Sequence, residues 1–159
     1  MTVRFVDGDI FETSPKVALA HGCNCAGAMG KGIAVEFKRR WPTMYKLYKE
    51  KCQSGEFQTG DLFAWEDPDS GRLILNLGTQ KTWRTKATLE AIEGALQKAL
   101  RKVQQENIET VCLPMIGAGL GGLTAEQVKT QLVEVLDNSP VQFIVCENYA
   151  AGIQPNGIQ

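Results

Sequence analysis

The chain has 159 residues, of which 43% are hydrophobic and 22% charged, and a formal net charge of -1. That is enough chain for one domain with its own core, and the near-neutral balance excludes a global electrostatic pull toward nucleic acid or membrane, leaving small ligands as the default. Cys23, Cys25, Cys52, Cys112 and Cys146 are odd in number and partly set in apolar runs, which fits reduced thiols and a cytoplasmic location better than a disulfide framework; no run approaches the roughly 18 apolar residues of a membrane span, and no leader is visible.

Hydrophobic runs bounded by turn residues alternate with helical periodicity along the whole chain, a pattern that predicts an α/β fold. Val3 to Val6 is a short strand closed by Asp7-Gly8-Asp9, Val17 to His21 is an apolar run of the kind that fills a covered sheet, and both are expected to be central. From Gly30 the pattern turns helical, with Ile33, Ala34, Phe37 and Trp41 on one stripe; a second helix over about Thr43 to Cys52 follows Pro42. Asp61 to Trp65 and Leu73 to Leu77 read as a strand pair around the Pro68-Asp69-Ser70-Gly71 turn. Thr88 is placed to cap a long helix reaching Asn107. A strand over Val111 to Ile116, a glycine loop, a helix over about Ala125 to Leu136 and a last strand over Val141 to Cys146 complete the body, residues 1–151, with 152–159 expected as a flexible tail.

Two glycine loops carry the chemistry. Gly30 and Gly32 sit where a loop becomes a helix, so free N–H groups and a positive dipole end meet a backbone without side chains to hold a ligand away. The loop from Ile116 to Leu123, IGAGLGGL, leaves a strand and enters a helix that Thr124 and Gln127 can close with a capping box. Either loop alone reads equally as a tight turn; as a pair they predict a ligand with two linked phosphates, held between helix N-termini at the carboxyl ends of the strands. Gly117, Gly119 and Gly122 also spell GxGxxG, but so near the chain end that no full dinucleotide fold can follow, which ranks that fold second.

His21, Cys23 and Cys25 invite a metal or a Cys/His nucleophile. Structural zinc needs four ligands and no second pair is present, and the dyad lacks an orienting third residue, so no metal and no cofactor is expected and the cysteines read mainly as packing groups. Asn24 offers amide donors and an acceptor at the mouth of the cleft, suited to a sugar hydroxyl or a water, or equally to forming a turn.

Gly8-Asp9-Ile10, then HGCNCAGAMGKGIA over residues 21–34, then PMIGAGLGGL over 114–123, in this order and on this alternation, resemble the macrodomain family of ADP-ribose binders. Within it the chain looks most like the branch of the terminal ADP-ribose protein glycohydrolase and the DNA ADP-ribosyl antitoxin, through MGKGIA, the Thr79-Gln80-Lys81-Thr82-Trp83-Arg84 segment and GAGLGGL. The resemblance implies a three-layer α/β/α fold around a mixed, mostly parallel sheet. It implies an ADP-ribose site built from Asp9, Ile10, Asn24, Met29, Gly30, Lys31, Gly32, Ile33, Thr79, Gly117, Ala118, Gly119, Leu120, Gly121 and Asn148. Asp9 would bind the adenine amino group, the loops the pyrophosphate, Asn24 the distal ribose, and Tyr149 would stack on the adenosine. The implied activity is ADP-ribosyl hydrolysis from acidic side chains or DNA by a monomer, with Asn24, Lys81 and His21 as the candidate catalytic residues. The chain departs from the branch at Gln80, where a lysine performs the chemistry, and at Gly121, where the human-type enzyme has an aspartate. Those losses keep two alternatives open. One is a reader that binds ADP-ribose without turnover; the other is an ADP-ribose-1''-phosphate phosphatase, suggested by the His-x-Cys-Asn-Cys opening.

Overall fold

The computed structural model describes residues 2–155. Six strands, β1 (Val3–Gly8), β2 (Ala18–Asn24), β3 (Leu62–Glu66), β4 (Leu73–Gln80), β5 (Thr110–Pro114) and β6 (Gln142–Tyr149), form one sheet in the order β1-β6-β5-β2-β4-β3. All pairings are parallel except β3 with β4. Four helices cover it: α1 (Ala34–Arg40), α2 (Pro42–Ser54), α3 (Leu89–Gln105) and α4 (Ala125–Leu136).

Strand alternation divides the core into two layers. Ala18 and Ala20 of β2, Leu73, Leu75 and Leu77 of β4, Val111 and Leu113 of β5, and Phe143 and Val145 of β6 point to one face, where they meet Ile92, Leu96 and Val103 of α3 and Val128, Leu132 and Leu136 of α4. The intervening Leu19, Ile74, Cys112, Ile144 and Cys146 point to the other face, against Phe37 of α1 and Met44 and Tyr48 of α2. The sheet is therefore buried on both sides and the three-layer architecture follows.

The helix ends obey local chemistry. Thr88 accepts from Ala91 N at 3.1 Å to open α3, and Thr124 with Gln127 completes a capping box on α4. Pro42 opens α2 and Gly55, at φ 81°, closes it.

Four expectations change. β1 lies at the sheet edge rather than the centre, and its alternation of a buried Val3 with an exposed Arg4 is that of a half-covered strand. α1 begins at Ala34 instead of Gly30, because Gly32 turns through φ +63° and breaks the helical path. β4 and β6 run on to Gln80 and Tyr149, paired with Asn24 of β2 and Gly8 of β1, which carries polar site residues on strand ends. The segment predicted as a loose tail starts packed: Asp9 N donates to Ile153 O at 2.8 Å, and Pro155 is buried against Gly8. Residues 156–159 lie outside the described residues. Among the described residues no helix is long and apolar enough to cross a membrane.

Candidate functional site: a cleft between two glycine loops

The parallel strands β2, β4 and β5 end side by side, at Asn24, Gln80 and Pro114, and the segments that follow them enclose a cleft of about 530 Å³. Its floor is Gly22 to Asn24, Thr79 and Pro114 to Ile116; its walls are Gly30 to Ala34 on one side and Gly117, Ala118, Leu120 and Gly121 on the other. Gln80 and Trp83 close one end, and among the described residues Lys31 is the single charged one in the lining.

The walls touch. A Cβ on Gly32 would stand 3.2 Å from Leu120 Cδ1, so the 69% exposed Leu120 overhangs the first loop. Gly30 and Gly119 face open space. Among the described residues, the N–H groups of Gly30, Lys31, Gly32, Gly119 and Leu120 reach no hydrogen-bond acceptor. Opposed loops with unused donors, a lysine and no carboxylate form an anion cradle. The donors differ from the expectation in one respect. The second loop coils into a short 3-10 turn, Gly119–Gly121, and the α4 terminus with Thr124, Glu126 and Gln127 faces a groove against α3, so loop backbone rather than a second helix terminus lines the cleft.

Asn24 organises the first loop. Its Oδ1 accepts from Ala26 N at 3.0 Å and Ala28 N at 3.3 Å, and its Nδ2 donates to Ala28 O at 2.8 Å. Tyr48 of α2 donates its hydroxyl to Asn24 O at 2.6 Å, with Oδ1 at 3.0 Å. Both sequence readings of Asn24 thus coexist: it shapes a turn, and it lines the cleft. Gln80 is held as firmly. Its Nε2 donates to Thr82 O at 2.9 Å and Thr85 O at 3.0 Å, and its Oε1 lies 3.5 Å from where a Cβ on Gly121 would be. Cys25 N donates to Gln80 O at 2.9 Å, tying the first loop to the end of β4.

Two candidate catalytic residues lie elsewhere. His21 is fully buried on the sheet face opposite α3 and α4, its ring stacked on Phe37 at 3.7 Å and 3°. Its Nε2 donates to Asn76 Oδ1 at 2.6 Å, while Asn76 Nδ2 donates to Phe63 O at 3.0 Å. Cys23 Sγ is 3.4 Å from His21 Nε2, so the two do share a face. Burial opposes their use as a dyad, because it pushes the His21 imidazole down to about 4 against the Asn76 hydrogen bond and raises the Cys23 thiol. A neutral imidazole beside a protonated thiol is a packing pair. Lys81 is exposed and outside the cleft lining; it follows the last paired residue of β4, whose side chain is already turned toward Thr82 and Thr85. Cys25, half-buried, has its thiol pushed up to about 12 by burial and the neighbouring Cys52 and Asp61, and among the described residues no group of three or more His, Cys, Asp or Glu side chains could hold a metal ion.

The other expected residues divide between the cleft and its surroundings. Gly30, Lys31, Gly32, Ile33, Thr79, Gly117, Ala118, Leu120 and Gly121 line it, whereas Met29 and Ile10 are core residues and Gly119 is not part of the lining, with open space beside it. Asp9 and Asn148 sit farther along the same carboxyl edge, at the ends of β1 and β6. Asp9 is 5% exposed; its Oδ1 accepts from Phe11 N and its Oδ2 from Gly152 N and the Tyr149 hydroxyl. Asn148 donates to Asp7 Oδ1. Sequence reasoning did not find Tyr48 or Asn76, the buried polar partners that set Asn24 and His21, nor a place in the cleft for Trp83, which lines it with 55% exposure.

This cleft stands on a recognised framework. The family model for the Macro domain matches residues 20–132, and the chain belongs to that family. It is 36% identical over 143 residues to the DNA ADP-ribosyl glycohydrolase of Mycobacterium tuberculosis, covering 87% of this chain and 40% of that protein. The human ADP-ribose glycohydrolase OARD1 is 28% identical over 143 residues, 90% of each chain. The solved macrodomain of Thermus aquaticus DarG superposes with a TM-score of 0.81 at 36% identity, over 91% of this chain and 97% of that one. The chain spans about two fifths of the length of the bacterial glycohydrolases it matches.

Proposed function

We propose that this macrodomain binds ADP-ribose in the cleft and acts as an ADP-ribosyl hydrolase, releasing ADP-ribose from modified DNA or from acidic side chains. The observation that carries the reading is the pair of glycine loops walling one cleft beside Lys31, with N–H groups that find no acceptor among the described residues. Such donors match a diphosphate in charge and geometry, and a glycine backbone lets it approach. The diphosphate in this cradle directs the distal ribose toward Asn24 and Gln80, and the adenosine along the carboxyl edge toward Asp9, Asn148 and Tyr149. Asp9 Oδ2 already accepts from Gly152 N and the Tyr149 hydroxyl, whereas Oδ1 accepts, among the described residues, from Phe11 N alone and retains a lone pair for the adenine amino group.

The likeness to DNA ADP-ribosyl glycohydrolases supports the hydrolase and favours DNA as the carrier. Trp83, with the Arg84 guanidinium 5.9 Å from its ring centre and Lys81 and Lys86 exposed beside it, supplies the stacking surface and cations that a single strand needs. The buried and half-buried thiols, none of them paired in a disulfide, fit a protein working in a reducing cytoplasm.

The chemistry falls on water. Gln80 is neither base nor nucleophile, and among the described residues the lining holds no carboxylate and no histidine. What the cleft offers is fixed hydrogen-bonding groups, Gln80 Oε1 and the second Nδ2 hydrogen of Asn24, to orient a water at the anomeric carbon. That lining also favours a second reading, a reader that binds and does not turn over. Incubation with an ADP-ribosylated single-stranded oligonucleotide and with glutamate-ADP-ribosylated protein separates them: release of ADP-ribose from either supports the hydrolase, and no release from both, with binding intact, leaves the reader.

A further inference from the structure

We propose that the groove between α3 and α4 is a second binding site, separate from the cleft, for a basic extended segment of a partner protein. The groove has a volume of about 490 Å³ and is lined by Glu90 and Glu93 of α3 and by Glu126 and Glu134 of α4, with no lysine or arginine lining it among the described residues. Elsewhere the acids of this near-neutral chain are often paired, as Glu36 with Arg39 and Asp61 with Lys98. The four groove carboxylates take part in no ion pair or hydrogen bond among the described residues. Helix electrostatics accounts for two of them, since Glu90 and Glu126 lie in first turns where the dipole favours a negative charge. It opposes a third, because Glu134 sits near the C-terminus of α4, where no basic residue balances it.

A second observation points to an occupant. Gln131 lines the same groove at 8% exposure, and its Nε2 donates to Leu89 O across the two helices. That bond leaves Gln131 Oε1 as the one buried side-chain oxygen or nitrogen among the described residues with no hydrogen-bond partner. Buried acceptors are normally satisfied, so an orphan in a groove of unpaired carboxylates calls for an N–H donor. The charged groups of the groove are all carboxylates and its one orphaned buried atom is an acceptor, so the occupant is cationic and rich in donors. No cluster of the described residues could hold a metal ion. Glu126 and Glu134 are separated by eight residues of helix, about 12 Å, which exceeds the reach of one guanidinium and suits side chains spaced along a peptide.

The test is fluorescence anisotropy of a short fluorescein-labelled peptide of alternating arginine and glycine at low salt. Replacing Glu90, Glu93, Glu126 and Glu134 together by Gln is expected to weaken binding at least about tenfold, from pairs worth a few fold each. The charge-matched variant with Glu12, Glu50, Glu66 and Glu109, which are exposed elsewhere, changed to Gln stays within about twofold. Gln131→Leu, which removes the orphan acceptor and keeps every groove charge, weakens binding about threefold. Equal loss in the two quadruple variants, no binding by the wild type, or displacement by spermine at the same concentration of positive charge would overturn the proposal. Titration of the groove variant with ADP-ribose, expected to be unchanged, keeps this outcome distinct from that of the cleft.

Discussion

Gln80 Nε2 donates to the carbonyl of Thr85 at 3.0 Å while also holding Thr82 O, which fixes the side chain at the end of β4 and leaves its Oε1 facing Gly121. A glutamine so held can position a water and cannot take its proton. Gln80→Lys is expected to raise the rate of ADP-ribose release by about 10²-fold, the ordinary contribution of a positioned base or nucleophile. Lys81→Ala, altering an exposed side chain outside the lining, leaves the rate unchanged. Single-turnover release from ADP-ribosylated oligonucleotide measures both; a large loss in Lys81→Ala would return the chemistry to Lys81.

Asn24 combines three roles that one substitution removes together. Asn24→Ala deletes the acceptor for Ala26 N and Ala28 N and the donor to Ala28 O, so the first loop loses its shape and Tyr48 loses one of its contacts. The expected cost is about 1–3 kcal/mol in stability and at least about tenfold in ADP-ribose affinity. Denaturant unfolding and calorimetry read the two quantities separately. Tyr48→Phe, which removes the hydroxyl and leaves Asn24 in place, lowers affinity less.

The meeting of Gly32 and Leu120 sets the width of the cleft. Gly32→Ala puts a Cβ 3.2 Å from Leu120 Cδ1 at a φ of +63°, where an L side chain costs about 1–2 kcal/mol. ADP-ribose affinity is expected to fall about tenfold. Gly60→Ala carries similar strain, at φ +87°, with nothing within 4 Å and away from the cleft; it lowers stability and leaves affinity unchanged.

Stability falls with acid through His21, the chain's one histidine. Its folded value of about 4 lies below the 6.5 of a free imidazole, so between these values the unfolded chain binds the proton and the folded one does not. The stabilisation is complete above pH 6.5 and declines by about 1.4 kcal/mol per unit down to pH 4. Urea unfolding at pH 7.5 and pH 5 should differ by about 2 kcal/mol from this group alone, and His21→Phe should lose that part of the slope.

Much of the fold is legible in the chain. The alternation of Leu73, Leu75 and Leu77 with Ile74 and Asn76 states both faces of β4, and the Thr124 and Gln127 spacing fixes the start of α4. Both glycine loops are equally visible, since their composition is itself the mechanism. The position of β1 at the edge is not, because strand order depends on crossovers that no local pattern encodes. His21 misleads for a similar reason: what makes it a core residue is Asn76, 55 residues away, and Phe37 on the covering helix. Lys81 misleads because its exposure depends on hydrogen bonds that Gln80 makes to the following loop.

ADP-ribose binding here depends on a diphosphate held between the loops, and a calorimetric titration of the domain with ADP-ribose tests this most directly. One site per chain with micromolar affinity is expected, weakened by Gly32→Ala and by raising the salt concentration. The absence of binding heat at millimolar ADP-ribose, or binding indifferent to Gly32→Ala, would contradict it.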